Sequence, residues 1–375
     1  MTKFEIWKSC QIKREIVQMK KDKVKDSLLK YELIIKLSLS FFFITFFCLI
    51  FFLGGGLVYF KDVVYVDQFQ NYDFQIHVID VGQGDSFLIK LPNQKTLLID
   101  SGEISSSNIL INYINDYFVK ENLEKIDYLL LTHPDADHIG GAYEVLNNFN
   151  VETIFRPKIY SIYEYQNLSI LNDYVISESE IYNKVITKAY EDDCSLVFSE
   201  KGIILNEAGC KIEFLSPDID KYSDTNNYSA VIMITYQDKK FLFTGDAGIE
   251  IEEQLIKDYG EYLKADVLKV GHHGSKTSSS LEFLKIVNPK YAIISAGENN
   301  SGLPNVEVLN RLNDLGISRL STQEINNFAI TVENNDITIA FQEKPVCDMA
   351  LISTIFVVLL LFVWGCKFKW FYASK

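Results

Sequence analysis

The chain has 375 residues and a formal net charge of −14, with nearly half of its residues apolar. That composition supplies a large buried core and excludes an intrinsically disordered or disulfide-stapled miniprotein. Charge is unevenly spread: residues 1–36 hold ten Lys/Arg against five Asp/Glu, whereas residues 61–347 hold 23 Lys/Arg against 44 Asp/Glu, a balance of −21. An acidic body repels polyanions and binds nucleic acid poorly unless a local site reverses the sign.

The first 36 residues read as a basic cytoplasmic segment. Residues 37–60 form an uncharged, Phe-rich stretch long enough to cross a bilayer, and residues 349–366 form a second one. The first exceeds a signal-peptide core and has no obvious small-residue cleavage site after it, so an uncleaved anchor is expected. Lys20, Lys21, Lys23, Lys25, Lys30 and Lys36 precede the first stretch, and Lys367, Lys369 and Lys375 fall in the tail 367–375. The positive-inside rule places both termini in the cytoplasm and the body outside a two-pass cell-membrane protein.

Between the two stretches, Phe74 to Val81 alternates and predicts a strand. Ser86–Leu91 and Thr96–Asp100 predict two more. A helix is expected over 106–120, a buried strand over 126–131 running into His133, a helix from Gly140 to Leu146, and a strand over 151–155. The Tyr-rich stretch 158–200 is irregular, with helix plausible at 173–190. Strands follow at 211–215, 229–236 and 240–243, the last ending at Thr244-Gly245-Asp246-Ala247. A helix at 248–259, a strand at 267–270 ending at His272, a helix capped by Ser279 with Glu282, a strand at 291–295, a helix at 306–315 and a hairpin at 328–341 complete the body. Strands alternating with helices, with no Pro/Ser linker, suit one domain at 68–342 built as two face-to-face sheets with helices outside. Cys194 and Cys210 allow a disulfide in an outward domain, or two unpaired thiols; no cysteine forms a CxxC pair.

Four of the five histidines lie in two short runs, Thr132-His133-Pro134-Asp135-Ala136-Asp137-His138 and Gly271-His272-His273-Gly274. Packing acids and imidazoles this densely is costly unless a multivalent cation offsets the charge. His133 and Asp135 can face one metal, and Asp137 and His138 a second. Asp246, at another strand end, is placed to bridge them, and His272 or His273 can close the second site. Two divalent ions, zinc or manganese, suit imidazole with carboxylate and would serve hydrolysis; no organic cofactor is expected. His77, alone on an apolar strand, reads as structural.

Asp80-Val81-Gly82-Gln83-Gly84-Asp85-Ser86, Thr132 to Gly141, Phe241 to Ala247 and Leu268 to Ser280, in that order, resemble the metallo-β-lactamase superfamily. More narrowly, they resemble the hydrolase domain of ComEC-type competence (DNA-uptake) membrane proteins, over about residues 72–342. The resemblance implies an αββα sandwich with metals at the sheet edge. It further implies a membrane-anchored metal-dependent phosphodiesterase, with Asp137 and the His272/His273 pair in catalysis and DNA, single-stranded or degraded, as substrate. Asp135 stands where the superfamily motif carries a second histidine. Asn226-Asn227-Tyr228-Ser229 resembles the ComEC pattern, which makes Asn227 a substrate-site candidate. Ser275 and Lys276, just beyond the histidines, are candidates for holding a phosphate oxygen.

Two departures stand out. Gly302-Leu303-Pro304-Asn305 occupies the place where the family often has two histidines, and the multi-span pore of full-length competence proteins is missing. The first keeps open a non-catalytic surface or DNA-uptake accessory, and the second argues against DNA import by this chain alone. The acidic balance keeps open a small phosphodiester such as a phosphorylcholine group, and ester or lactam hydrolysis in the same site is disfavoured only by the aspartate at 135.

Overall fold

The computed structural model describes residues 18–21, 23, 25–31, 72–167, 175–218 and 221–341. The apolar stretches 37–60 and 349–366 and the tail 367–375 lie outside the described residues. Among the described residues no helix is long and apolar enough to cross a membrane. The chain divides into two compact units, Met1–Val63 and Val64–Lys375. The first contributes only helical residues between 18 and 31 to the described set.

The second unit carries the chemistry. Its strands are β1 (Gln75–Val78), β2 (Phe87–Lys90), β3 (Thr96–Ile99), β4 (Lys125–Leu130), β5 (Asn150–Arg156), β6 (Ser195–Phe198), β7 (Ile204–Glu207), β8 (Cys210–Ser216), β9 (Val231–Tyr236), β10 (Lys239–Phe243), β11 (Val267–Lys269), β12 (Tyr291–Ile294), β13 (Ser318–Ser321), β14 (Phe328–Glu333) and β15 (Asp336–Phe341). One sheet runs β15-β14-β1-β2-β3-β4-β5-β6 and the other β13-β12-β11-β10-β9-β8-β7. Within them β3 to β6 and β10 to β13 are parallel runs. Their carboxyl ends therefore share one edge in each sheet.

Three apolar clusters define four layers. Ile76, Val78, Phe87 and Ile99 of the first sheet meet Ile232, Ile234, Phe241 and Phe243 of the second. The opposite face of the first sheet, with Leu88, Leu98 and Leu129, packs on the helices Ser107–Glu121, Ala142–Asn148 and Glu180–Glu191. The opposite face of the second, with Met233, Leu242 and Leu268, packs on Ile249–Tyr259, Leu281–Val287 and Val306–Asp314. The central strands of each sheet are thus covered on both faces, which is why they read as nearly continuous apolar runs. Each buried Leu, Ile or Phe stabilises this arrangement by roughly 1.5–3 kcal/mol.

Several local expectations shift. The cap of Leu281–Val287 is Ser280, whose hydroxyl accepts from the Phe283 amide, not Ser279. Ser279 instead takes a left-handed backbone (φ 53°) and accepts from the Gly271 amide at 3.2 Å. The helix expected over 173–190 is Glu180–Glu191, preceded by Ile162–Asn167. Strands β6, β7 and β13 were not anticipated, because their short sequences are polar or half-exposed and lack a clear period. Cys194 and Cys210 are both free thiols, Cys194 following the helix Glu180–Glu191 and Cys210 buried in the second sheet.

His77 is the structural histidine its isolation implies. Its ring is buried, with Nδ1 2.7 Å from the Tyr113 hydroxyl and Nε2 3.0 Å from Gln75 Oε1. Burial, reinforced by Lys120 and Lys90, pushes its pKa down from 6.5 to about 3. A ring held neutral in the fold but basic in the unfolded chain contributes stability that is complete above pH 6.5 and is lost as pH falls toward 3. His77→Gln removes that titration. Urea unfolding is expected to show the parent losing about 2 kcal/mol more than the variant between pH 7 and pH 5; parallel pH profiles would contradict the burial argument.

Candidate metal centre

The site assembles from the carboxyl ends of five strands. β1 leads through the Gly82–Gly84 turn to Asp85; β3 ends at Asp100; β4 runs into Thr132–His138; β10 ends at Asp246; and β11 runs into Gly271–Gly274. Backbone contacts lock these ends together. The Asp85 amide donates to the Asp137 carbonyl (3.2 Å), Ser101 to the His138 carbonyl (2.6 Å) and His272 to the Gly245 carbonyl (3.2 Å). A Cβ on Gly84 would stand 2.2 Å from the Asp137 carbonyl oxygen, so only glycine permits that approach.

Asp246 is the hub. One of its oxygens lies 3.3 Å from His138 Nε2; the other lies 3.4 Å from His273 Nε2, 3.8 Å from His272 Nε2 and 4.0 Å from His133 Nε2. His273 Nε2 is 3.2 Å from Asp137 and 3.2 Å from His138 Nε2, while His133 Nε2 is 3.9 Å from Asp135. Asp137, His138, Asp246 and His273 thus converge on one point, and His133 and Asp135 approach Asp246 on another side. Residues 271–274 turn tightly, with His272 (φ 47°) and His273 (φ 50°) both left-handed. Two successive non-glycine residues in that region are strained. The turn sends His273 into the buried cluster and leaves His272 half-buried at the mouth.

Two carboxylates that the sequence reading did not single out as site groups stand behind the imidazoles. Asp100 accepts from the Thr132 amide (2.8 Å) and hydroxyl (2.7 Å) and meets His138 Nδ1 at 2.8 Å. That contact sets the His138 ring so that Nε2 faces Asp246. Asp85 pairs with the buried Lys269 at 2.7 Å and approaches His273 Nδ1 at 3.4 Å. His273 Nδ1 also lies 2.8 Å from the Ser295 carbonyl, which again leaves Nε2 toward the cluster. The only signal for Asp85 and Asp100 in sequence is their position just after a turn or strand.

The electrostatics are those of a crowded acid–imidazole cage. Burial opposes charge on His138 and His273, yet Asp246, with Asp100 beside His138 and Asp85 beside His273, lifts both well above the usual histidine range. Burial likewise opposes ionisation of Asp246, but His273 and His138 hold it well below the usual carboxylate range; Asp137 is lowered against the same penalty, through its hydrogen bond to His273 and the charge of His138. His133 is pushed down to about 3 by burial and then by His138, so it stays neutral with a free electron pair. Asp135 is raised by burial and by Asp137.

Divalent cations fit this donor set. Asp85, His138, Asp246 and His273 each offer a ligand atom within 4.8 Å of the others, and all four are buried. Asp85 Oδ1, His133 Nε2 and Asp246 Oδ1 are buried with no hydrogen-bond partner, a cost that a bound cation removes. Asp85 keeps one oxygen on Lys269 and faces the Nδ1 edges of the rings, on the side away from the Nε2 atoms that meet Asp246, so it backs the cage. The residues that would hold one ion are Asp137, His138, Asp246 and His273, and the second would rest on His133, Asp135 and Asp246. Binding there would displace the protons that the two raised imidazoles carry.

The remaining candidates surround this cage. Asn227 spends its amide on Gly248 N (3.1 Å) and Glu250 (2.9 Å), holding the loop after Asp246. The Ser275 hydroxyl meets Thr277 Oγ1 at 2.9 Å, which in turn lies 3.3 Å from His272 Nδ1; Lys276 is exposed. Glu252 accepts from the amides of Ser279 and Ser280, the Ser278 hydroxyl donates to the Ala247 carbonyl, and Arg311 donates to the Ser279 carbonyl. The polar run after the histidines therefore clamps their turn. Asn305 caps the helix Val306–Asp314, and its amide donates to the Gly274 carbonyl, so the loop with Leu303 borders the same turn.

The family described as "Metallo-beta-lactamase superfamily" matches residues 79–298. The chain is 31% identical over 268 residues to ComE operon protein 3 of Bacillus subtilis (strain 168), covering 67% of this chain and 32% of that protein. It is 30% identical over 251 residues to Competence protein ComA of Neisseria gonorrhoeae (66% and 30% covered) and 31% identical over 241 residues to Recombination protein 2 of Haemophilus influenzae (64% and 26% covered). The chain spans about a third of the length of the curated relatives it matches.

If Asp100 sets the His138 ring, Asp100→Asn weakens divalent-cation binding by about 10–100-fold, as loss of such orienting carboxylates does elsewhere. Competition against a chelator of known affinity measures this, with circular dichroism confirming the fold. An unchanged affinity would leave Asp100 a purely structural residue.

Proposed function

The chain belongs to the metallo-beta-lactamase superfamily, and from that premise we propose that it is a membrane-anchored metal-dependent phosphodiesterase acting at the outer face of the membrane. The observation that carries the reading is the convergence of Asp137, His138, Asp246 and His273, with the orphaned His133 Nε2 beside them, at the open edge of the sandwich. A donor set of three imidazoles and three carboxylates suits manganese or zinc. Bound there, a pair of such ions supplies Lewis acidity, which lowers the pKa of water and offsets the charge on a phosphoryl group.

The chain's own residues do the rest. Asp246, facing all four imidazoles, holds the two halves of the site in register. Asp137 is held ionised, so it serves as ligand and as acceptor rather than as proton donor. His272 is the half-exposed imidazole, with Thr277 at Nδ1 and Nε2 toward Asp246, and it would hand a proton to a leaving oxygen. Exposed Lys276, with Ser275 next to it, would hold a phosphate oxygen.

For the substrate, similarity to proteins named for competence and recombination supports DNA, in single-stranded or degraded form. The −21 balance of residues 61–347 favours a second reading, a small phosphodiester such as a phosphorylcholine group, because a long polyanion would meet repulsion along the body.

Turnover of bis-p-nitrophenyl phosphate by the full chain in detergent, with added manganese or zinc, is the direct assay. Asp137→Ala is expected to cut the rate at least a hundredfold, on the order of 3 kcal/mol of barrier, while the variant stays folded. Equal rates in parent and variant would remove this site from the mechanism.

A further inference from the structure

Several of the exposed apolar side chains stand at the edge of the sandwich that carries the acid–imidazole cluster. Ile104 follows β3; Ile162 and Tyr165 follow β5; Ile249 follows β10; Leu281 follows β11; and Val306 follows β12. Each stands at or near the start of a helix that begins where a parallel strand has ended, so all share the edge of His133 and Asp246. Their exposure runs from 36% at Ile249 to 68% at Val306. Val119 and Tyr262, also exposed, mark the opposite edge, since each precedes the start of a parallel strand.

Chain geometry points the same way. β15 pairs with β14 and β14 with β1, both antiparallel, with Phe341 opposite Phe328 and Phe328 opposite Val78. The chain therefore leaves the sandwich at Phe341 on the metal edge and enters at Gln75 on the opposite edge. Only residues 342–348 separate Phe341 from the apolar stretch 349–366, a reach of about 25 Å, whereas residues 61–74 supply about 50 Å before Gln75. A bilayer at the metal edge is within the reach of both tethers. At the opposite edge, the short tether would have to span a six-residue strand of about 20 Å plus its loops, with no slack.

We propose that the edge carrying the metal cluster lies against the surface of a lipid bilayer, so that the site works on a phosphodiester presented at that surface. This rests on the reading of residues 37–60 and 349–366 as membrane spans. The rim's charge selects the kind of surface. Glu103, Glu250, Glu282 and Glu307 are exposed, each the sequence neighbour of one of these apolar residues. Apolar insertion flanked by acids favours a zwitterionic headgroup layer and disfavours an anionic one.

The test uses the full chain with its six cysteines replaced by alanine and one new cysteine carrying an environment-sensitive fluorophore. Leu281→Cys and Val306→Cys report the metal edge; Val119→Cys and Tyr262→Cys report the other. In phosphatidylcholine bilayers containing brominated lipid, the first pair is expected to be quenched about twofold more than the second, the difference shrinking as anionic lipid is added. Equal quenching, or stronger quenching of the second pair, overturns the proposal. Unquenched edge residues that cross-link between molecules assign the face to a second copy and overturn it too. Release of the chain by alkaline wash would fell the membrane reading together with this one. Absence of phosphodiesterase turnover beside asymmetric quenching would fell only the catalytic reading.

Discussion

One buried carboxylate organises this molecule. Asp246 faces four imidazoles, from two loops that leave different sheets, and each of those rings is within 4.0 Å of it. Clustering that many titratable groups out of water costs free energy, and the surrounding structure is arranged to bear it. Asp100 and Asp85 stand behind the rings, buried Lys269 balances Asp85, and Glu252 with Arg311 ties down the loop after the histidines. Without a compensating cation, the fold would hold strained left-handed histidines and orphaned polar atoms to no purpose.

The sandwich places these groups where they are needed. Parallel runs in each sheet bring strand ends to one edge, and the apolar layer between the sheets, with Phe87 against Phe243 and Phe74 against Phe241, fixes their separation. Its mouth, with His272 and Lys276, lies at the surface of the domain.

Much of this was legible in the amino-acid order. The strand ending in His133, the acid-rich run after it, the Thr-Gly-Asp turn and the paired histidines each followed an apolar segment, and the structure brings them together. Asp85 and Asp100 were not legible as site residues, because an aspartate after a strand is equally a turn residue, and their part depends on rings 38 to 188 positions distant. Which histidine of 272 and 273 points inward depends on two left-handed dihedrals that no pattern announces. The capping serine was displaced by one residue for a related reason: Ser279 gives its hydroxyl to the histidine turn and leaves the helix to Ser280. Strands β6, β7 and β13 have four residues each, too few to set a period, and lie at sheet edges.

The account stands on cations occupying the cage around Asp246. Elemental analysis of the full chain, purified in detergent under metal-replete conditions and compared with Asp246→Asn, tests it most directly. The parent should retain stoichiometric manganese or zinc and the variant should lose it. A parent that carries no divalent metal, or a variant that retains as much, would contradict the assignment.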